Sequence, residues 1–153
     1  MKVKKIWILT LFPDYFSPLK EHGVLGSALR NERAAANGKF EMNTVQISEF
    51  CAKGFKGVDD APFGGGQGMI MRADALKEAL LRGVVEAGNY ASLDQLHVVC
   101  PAPRGKTLNN SLAKDFAKRA LNFSSPKDVV FICGRYEGID ERFLETYVNE
   151  YIS

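Results

Sequence analysis

Short apolar segments that alternate with stretches of helical periodicity constrain the fold of this chain more than any other feature. The clearest segment is 128–133, where Val-Val-Phe-Ile-Cys runs without a polar interruption. An uninterrupted apolar strand is typical of a parallel sheet that is covered on both faces. Strands are predicted at 5–12, 40–47, 95–100 and 128–133, and helices at 14–20, 22–33, 74–87, 108–121 and around Ile139, Phe143 and Tyr147. This order predicts an α/β fold with a mostly parallel sheet and helices on both faces.

The composition is that of an ordinary globular chain. With 153 residues, of which 46% are hydrophobic and 25% charged, the chain suits one domain with a sizeable core. A net charge of +2 neither demands nor excludes a nucleic-acid partner. No apolar run approaches the roughly 20 residues of a membrane span, and the N-terminal apolar run lacks a secretory cleavage site. A cytoplasmic protein with no membrane association is therefore expected.

Cysteine and histidine offer little metal chemistry. The three cysteines, at 51, 100 and 133, are widely spaced and form no C-x-x-C pair, which argues against a structural zinc site or a disulfide framework. Cys100 and Cys133 each close an apolar run and are predicted to be small buried residues. His97 lies inside an apolar run and is predicted to be structural. No metal ligands are assigned from the sequence.

Residues 48–71 show no sustained periodicity and are predicted to form a long loop, which in a compact domain is usually functional or disordered. Four glycines in the five positions 64–68 would cost much conformational entropy in a merely structural loop. The loop is predicted to fold over a substrate, with Phe63 as a stacking surface for a base. The alternative is a flexible linker. The predicted substrate-binding residues are Asp59, Asp60, Phe63, Gly64, Gly65 and Gly66.

Two unusual turns follow the third and fourth predicted strands, at 101–105 and 134–138. Because ligands of open parallel sheets bind beyond the carboxyl ends of the strands, both turns are expected at the same sheet edge and in a ligand site. Gly134 and Gly138 allow close backbone approach, and the polar Arg135 and Glu137 between them favour function over a bland turn. Asp140 and Glu141 are expected to stabilise the start of the last helix.

The turn at 101–105 imitates a phosphate-binding loop, because Gly105-Lys106-Thr107 stands between a strand and a helix. Cys100 occupies the position of the first glycine, and Pro101 and Pro103 lack the N–H groups that such a loop wraps around phosphate. Nucleotide hydrolysis is therefore not expected, and a G-x-G-x-x-G dinucleotide motif is missing after the first strand. The prolines indicate a stiff loop that presents carbonyl oxygens to a ligand, or simply a rigid turn.

Three segments together resemble one known family. They are the glycine-rich stretch 58–69, the decapeptide Cys-Gly-Arg-Tyr-Glu-Gly-Ile-Asp-Glu-Arg at 133–142, and Ile-Leu-Thr-Leu-Phe-Pro-Asp-Tyr-Phe at 8–16 followed by Gly-Val-Leu-Gly at 23–26. Over essentially its whole length, the chain resembles the bacterial tRNA (guanine-N1)-methyltransferases of the TrmD type, in the knotted SPOUT class. The decapeptide and the glycine-rich loop together are highly specific.

The resemblance implies an enzyme that transfers a methyl group from S-adenosylmethionine to N1 of the guanine 3′ of the anticodon in tRNA. It also implies a trefoil knot, a homodimer with the active site at the interface, and a dependence on magnesium. Pro103 corresponds to a proline of the first knot loop and Gly134 to a glycine that contacts the cofactor. The resemblance gives the cofactor-binding residues as Ala102, Pro103, Gly134, Arg135, Tyr136, Glu137 and Gly138.

The sequence departs from the family pattern in two ways. Where the family usually has Ser-Pro-Gln-Gly, this chain has Ala-Pro-Arg-Gly at 102–105. The resemblance implies that the family segment beginning Ile-Gly-Asp-Tyr, the catalytic aspartate, an accompanying arginine and a tRNA-binding C-terminal domain would come after Ser153. Residues 1–153 are therefore expected to be an N-terminal S-adenosylmethionine-binding catalytic domain, with an incomplete knot and without the general base. Glu137 is the only local candidate for that base and is not favoured.

Two alternatives remain open at the level of sequence. The first is another knotted methyltransferase that modifies a different RNA position, although the glycine-rich loop argues against it. The second is a non-catalytic module that binds RNA or a nucleotide, since a chain ending at Ser153 could bind without reacting. The 153-residue chain by itself is expected not to methylate tRNA.

Overall fold

A computed structural model describes residues 2–30, 32 and 38–153, and a five-stranded sheet lies at its centre. The seven strands in chain order are β1 (Lys2–Thr10), β2 (Gly38–Gln46), β3 (Asp59–Asp60), β4 (Ile70–Met71), β5 (Leu96–Lys106), β6 (Asp128–Ile132) and β7 (Glu150–Ile152). The main sheet has the order β2-β1-β6-β5-β7 and every pair in it is parallel. The short β3 and β4 form a separate antiparallel pair. The predicted α/β fold with a mostly parallel sheet is confirmed.

Five α-helices connect and cover the strands. They are α1 (Ser17–Glu21), α2 (Gly23–Leu29), α3 (Ala73–Leu80), α4 (Asn110–Arg119) and α5 (Glu141–Tyr147). Helix α3 continues into a π-helical turn at Leu81–Glu86, so its helical path spans nearly the predicted segment 74–87. Helix α4 begins after Asn109, whose Oδ1 accepts the Leu112 N–H at 2.9 Å and satisfies a free donor of the first turn. No described helix is long and apolar enough to cross a membrane.

Alternation along the strands gives the sheet two apolar faces. Val98 and Val130 face the larger core, which α3 and α5 complete, whereas Val99 and Val129 face a smaller core that α4 covers. All four side chains are at most 3% exposed. Because each strand buries both sides, its sequence is apolar without a period of two. Helices therefore lie on both faces, as predicted.

Several predicted boundaries are wrong. The segment 22–33 was expected to be one helix, but α2 ends at Leu29, and residues 31 and 33 lie outside the described residues. Gly38 begins β2 and pairs with Lys2, because the long β1 offers hydrogen bonds from its first residues. Residues 48–71 are mostly irregular, but they include short 3-10 turns and the β3–β4 pair.

The largest difference concerns the third predicted strand, which was expected to end at residue 100. Strand β5 instead continues to Lys106, because β7 pairs with it on its outer side. Ile152 pairs with both Pro101 and Lys106, so the intervening residues bulge out of the strand. The predicted proline-bearing turn at 101–105 is therefore a wide bulge within an edge pairing. The chain runs from the end of α5 at Tyr147 into β7, a strand that was not among those predicted.

Candidate functional site

The two predicted turns leave the sheet at the same edge. Strands β5 and β6 are parallel neighbours, and Val99 pairs with Phe131 close to the carboxyl end of β6. The bulge at 101–105 begins just past the part of β5 that pairs with β6, and the turn at 133–138 follows directly on β6. Their position at adjacent carboxyl ends agrees with the expectation from the strand order.

The bulge at 101–105 is held at its base by β7. The Ser153 N–H donates to the Lys106 carbonyl at 2.8 Å, and the Leu108 N–H donates to the Ser153 carbonyl at 2.6 Å. A Cβ atom at Gly105 would lie 2.4 Å from the Ile152 carbonyl carbon. Only glycine therefore fits where the bulge returns to the edge strand.

Arg104 joins the apex of the bulge to two other elements. Its Nη1 lies 2.7 Å from Oε1 of Glu141, in the first turn of α5. Its guanidinium also lies 4.4 Å from the centroid of the Tyr151 ring on β7. The hydrogen bond that Arg104 donates to Glu141 is the main cause that raises the pKa of Arg104, so the guanidinium stays charged. This side chain therefore ties the proline-bearing bulge to the helix that follows the second turn.

The turn at 133–138 has an unusual backbone. Tyr136 has a φ of +59° and Gly138 a φ of +136°, and the first value is uncommon for a residue with a side chain. The Cys133 N–H donates to the Leu9 carbonyl at 2.9 Å, which anchors the start of the turn on β1. Gly134 to Glu137 are solvent-exposed. The turn thus presents its backbone and polar side chains outward.

The glycine-rich loop docks against this turn through β4. Four N–H groups connect the two segments, and each donor–acceptor distance lies between 2.9 and 3.2 Å. The contacts are Glu137 N–H to the Met69 carbonyl, Met71 N–H to the Gly138 carbonyl, Asp140 N–H to the Met71 carbonyl, and Arg135 N–H to Sδ of Met71. The arrangement contradicts the alternative of a flexible linker.

The middle of the glycine-rich loop extends into solvent. Phe63 is fully exposed, and Gly64, Gly65 and Gly66 have φ values of +88°, +88° and +126°. A Cβ atom at any of these three glycines would meet no heavy atom within 4 Å. Steric crowding therefore does not require glycine at these three positions, but the left-handed backbone conformation favours it.

A cavity of about 510 Å³ lies beside the glycine-rich loop, between β4, α3 and α5. Its charged side chains are Asp60, Arg72, Asp74, Lys77, Asp140 and Arg142, and Phe63 and Tyr147 add aromatic surface. The side chain of Arg72 lies 2.6 Å from Asp74, and that of Arg142 lies 2.6 Å from Asp140. These hydrogen bonds hold the pKa of both carboxyl groups below the ordinary range.

Asp59 brings the two predicted groups of site residues into electrostatic contact. Burial raises the pKa of Tyr136, and the negative charge of Asp59 raises it further. The positive charge of Arg135 lowers it, and the Arg135 guanidinium lies 5.4 Å from the centroid of the Phe12 ring. Asp59 pairs with Met71, which is hydrogen-bonded to Gly138, so the predicted substrate loop lies next to the predicted cofactor turn.

The predicted site residues lie in three places: at the turn 134–138, on the bulge 101–105, and along the cavity. Asp59 and the β4 segment lie against the turn 134–138, whereas Ala102 and Pro103 reach it through the Arg104–Glu141 pair. Asp60 and Phe63 line the cavity, which none of the predicted cofactor residues lines. The structure thus brings the glycine-rich loop and the second turn together more closely than the two turns.

Sequence reasoning missed Gly68, Met71, Arg104 and Glu141 as organising residues. Asp140 was expected to support the start of α5, and its Oδ1 accepts the Arg142 N–H at 2.9 Å. Glu141 lies in the first turn of α5, as expected, and also binds Arg104. Asp59-Asp60 on one side of the glycine run and Met69-Ile70-Met71 on the other are the sequence signal for a docked loop, and no local pattern marks the Met71 sulfur as an acceptor.

The cysteines and the described carboxylates form no evident reactive centre. Burial raises the pKa of Cys133 and raises that of Cys100 to about 11, so both thiols stay protonated near neutral pH. Cys100 is buried as predicted, whereas Cys133 is only half-buried. His97 binds Glu150 at 2.7 Å, a structural contact. In the described part of the chain, no three His, Cys, Asp or Glu side chains are grouped closely enough to hold a metal.

Comparisons with known proteins identify the family of the chain. The family model described as tRNA (Guanine-1)-methyltransferase TrmD matches residues 4–153, so the chain belongs to this family. A tRNA (guanine-N(1)-)-methyltransferase of Magnetococcus marinus is 38% identical over 146 residues, covering 95% of this chain and 50% of the relative. A protein of the same name from Clostridium botulinum (strain Kyoto / Type A2) is 38% identical over 149 residues, covering 97% and 53%.

One solved structure is similar over almost the whole chain. The crystal structure of tRNA (m1G37) methyltransferase from Aquifex aeolicus superposes with a TM-score of 0.75 at 33% identity. It covers 98% of this chain, and the match covers 59% of the Aquifex chain. The chain spans about half the length of the curated relatives that it matches.

Proposed function

We propose that the protein transfers a methyl group from S-adenosylmethionine to N1 of the guanine 3′ of the anticodon in tRNA. The observation that carries the proposal is the arrangement at one sheet edge. The bulge 101–105 and the turn 133–138 leave neighbouring parallel strands, and the glycine-rich loop is hydrogen-bonded to the second of them. This edge is where a parallel sheet binds ligands, and membership of the TrmD family supports the reaction.

The cofactor would be held by Ala102, Pro103, Gly134, Arg135, Tyr136, Glu137 and Gly138. The chemistry of these residues fits a nucleoside with an amino-acid tail, because the group combines exposed backbone with an arginine, a tyrosine and a carboxylate. A Cβ atom at Gly134 would lie 3.3 Å from Cδ1 of Ile139, so a side chain there would fill the space along the turn. When bound, S-adenosylmethionine supplies a methyl group activated by a sulfonium.

The tRNA would contact the glycine-rich loop. The exposed ring of Phe63 can stack on a base, and such stacking is worth about 1–3 kcal/mol per base. Gly64, Gly65 and Gly66 leave their backbone open to a ribose or phosphate. Asp59 and Asp60 offer acceptors for the N–H groups of guanine. Because the loop is hydrogen-bonded to the second turn, a nucleotide held here would lie next to the proposed cofactor site.

The reaction requires removal of a proton from guanine N1. The pKa of this N–H lies roughly two units above neutral, so generating the nucleophile costs about 3 kcal/mol. A positioned base typically contributes about 10²–10⁴-fold. Asp140 and Glu141 are engaged by Arg142 and Arg104, which makes them poor bases. We propose that a carboxylate outside residues 1–153 takes the proton, and Glu137 is not favoured for this role.

The same proposal covers the organisation of the protein. We propose that residues 1–153 form the N-terminal catalytic domain of a longer cytoplasmic enzyme. The rest of that enzyme would complete the knot and supply the tRNA-binding domain. The match to about half of each curated relative supports this organisation. A magnesium requirement is also proposed. With no acidic cluster among the described residues, the ion would enter together with tRNA or through residues elsewhere.

We further propose a homodimer with the active site at the subunit interface. Four large apolar side chains between residues 15 and 25 are exposed, and such surface is typical of a protein interface. They are Tyr15 (75%), Leu19 (41%), Val24 (71%) and Leu25 (43%). Helices α1 and α2, which carry three of these side chains, pack against each other. Pairing of two copies through this face would remove it from water.

Calorimetry tests the proposed function. S-adenosylhomocysteine, the demethylated product, would be titrated into the full-length protein and into its Gly134→Trp variant. The indole would occupy the space along the second turn, so the affinity should fall at least tenfold. Ala117→Trp adds the same ring at an exposed position of α4 and should bind like the wild type. Equal binding by Gly134→Trp would remove Gly134 from the site. Affinity for tRNA without affinity for S-adenosylhomocysteine would favour the RNA-binding module instead.

A further inference from the structure

The turn at 133–138 depends on contacts from a separate segment. Hydrogen bonds to Met69 or Met71 hold four backbone groups in or just after this turn. They are the N–H groups of Arg135, Glu137 and Asp140 and the carbonyl of Gly138. In addition, Met71 forms a parallel bridge with Ile139. A turn that contains a tyrosine with a φ of +59° costs backbone free energy, and it persists only where its surroundings hold it in place.

Met71 contributes three of the four hydrogen bonds. Its N–H donates to Gly138, its carbonyl accepts from Asp140, and its Sδ accepts from Arg135 at 3.2 Å. The side chain is completely buried, so water cannot replace the sulfur at this position. A methionine that fills the core therefore also satisfies a donor beside the proposed cofactor contact at Gly134.

Gly68 provides a second, independent contact. A Cβ atom at this position would lie 2.3 Å from Cγ of Glu137, and the residue has a φ of +90°. The nearest atoms that this Cβ would meet all belong to the Glu137 side chain, so a side chain at residue 68 would displace that of Glu137 within the turn. The φ of +90° adds backbone strain for any residue other than glycine.

We propose that Gly68 and Met71 are positioning residues, through which the glycine-rich substrate loop sets the conformation of the cofactor turn. The inference rests on the proposed function and deepens it. Neither residue needs to touch the cofactor, because each acts on Arg135, Glu137 or Gly138. Changes in the substrate loop should therefore alter the affinity for the cofactor.

Two variants with matched controls test this inference in the full-length protein. Met71→Leu keeps the volume of the buried side chain but removes the acceptor for the Arg135 N–H. Met42→Leu makes the same exchange at another buried methionine, on β2. Gly68→Ala introduces the close contact with Glu137. Gly54→Ala places alanine at a glycine with a φ of +57° where a Cβ atom meets nothing within 4 Å.

The readouts are calorimetric affinity for S-adenosylhomocysteine, the thermal midpoint, and the NMR shift of the Arg135 amide without ligand. Loss of one hydrogen bond should weaken binding by about threefold in Met71→Leu, and the close contact should weaken it roughly tenfold or more in Gly68→Ala. The Arg135 amide should shift in Met71→Leu but not in Met42→Leu. Both controls should bind like the wild type.

Two results would overturn the inference. Unchanged affinity in Gly68→Ala and Met71→Leu, with a lowered midpoint, would assign both residues a merely structural role while leaving the proposed function intact. Failure of the wild type to bind S-adenosylhomocysteine would overturn the proposed function and, with it, this inference. If Gly68→Ala does not fold, the affinity and the amide shift of Met71→Leu decide by themselves.

Discussion

Arg104 and Glu141 form an ion pair that connects the bulge of β5 to the first turn of α5, with 2.7 Å between the guanidinium and carboxylate atoms. The two residues are 37 positions apart, and each side chain remains about half exposed. The Tyr151 ring lies against the same guanidinium, which limits where Arg104 can point. One side chain therefore relates the proline-bearing bulge to the segment that follows the second turn.

Replacement of Arg104 should affect ligand binding more than stability. An exposed ion pair contributes roughly 0–1 kcal/mol, so Arg104→Ala should change the free energy of unfolding only slightly. Because the bulge would lose its connection to α5, affinity for S-adenosylhomocysteine should fall about two- to fivefold. Calorimetry and urea unfolding measure the two effects. Arg82→Ala removes an exposed arginine elsewhere and serves as the control, and a large loss of stability in Arg104→Ala alone would contradict the prediction.

Gly105 and Gly134 should respond differently to alanine. The Cβ atom at Gly105 would meet the Ile152 backbone at 2.4 Å, whereas at Gly134 it would meet the flexible end of Ile139 at 3.3 Å. Gly105→Ala must therefore displace β7 and should destabilise the fold by about 1–3 kcal/mol, as overpacking typically does. Gly134→Ala should cost much less. Urea unfolding of both variants gives the comparison, and equal midpoints would refute it.

Stability should decrease in acid through Glu150. Burial by itself raises the pKa of this carboxyl, but hydrogen bonds from Arg119 and His97 outweigh it and lower the pKa below the usual 4.5. A carboxyl whose folded pKa is depressed stabilises the fold above its unfolded pKa, and this contribution is lost as the pH falls through the folded pKa.

The corresponding variant is Glu150→Gln, which should lower stability at pH 7 and should lose less stability than the wild type between pH 5 and pH 3. Chemical unfolding at several pH values gives both curves. Glu145→Gln changes an exposed carboxyl on α5 and should follow the wild type. If the Glu150→Gln and wild-type curves stay parallel over this range, Glu150 does not contribute.

The exposed apolar face of α1 and α2 should govern the proposed dimer. Val24→Lys would place a charge among side chains that the dimer removes from water, and the population should shift toward monomer. Light scattering of the full-length protein over a concentration series measures the shift. Leu108→Lys, at a residue 53% exposed on another side of the chain, is the control. A wild-type protein that is already monomeric would contradict the proposed dimer.

The 153-residue chain by itself should not methylate tRNA. Without the base that we propose to lie outside residues 1–153, the rate should fall by about 10²–10⁴-fold, and the proposed tRNA-binding domain would contribute nothing. Transfer of a radiolabelled methyl group to tRNA by this chain and by the full-length protein provides the comparison. Turnover by the purified short chain at the full-length rate would show that the base lies within residues 1–153.

Local sequence determined the elements and the class of fold. The run at 128–133 identified a strand buried on both faces, and Asn109 marked the start of α4. Strands that alternate with helices predict a parallel sheet, and a parallel sheet places the two turns at a common edge. The common sheet edge of the two turns and the resemblance to the TrmD family could therefore be predicted from the sequence.

Tertiary structure alone decided how the site is held together. Met71 and Arg135 are 64 residues apart, and the hydrogen bond between them depends on where two segments without periodicity come to rest. The continuation of β5 to Lys106 likewise depends on β7, which follows it by more than 40 residues. Hydrophobic periodicity reports which face of an element is buried, because neighbours three or four positions apart share that face. Hydrophobic periodicity does not indicate which distant donor will form a hydrogen bond with a buried sulfur or an edge carbonyl. Tertiary packing determines those partners.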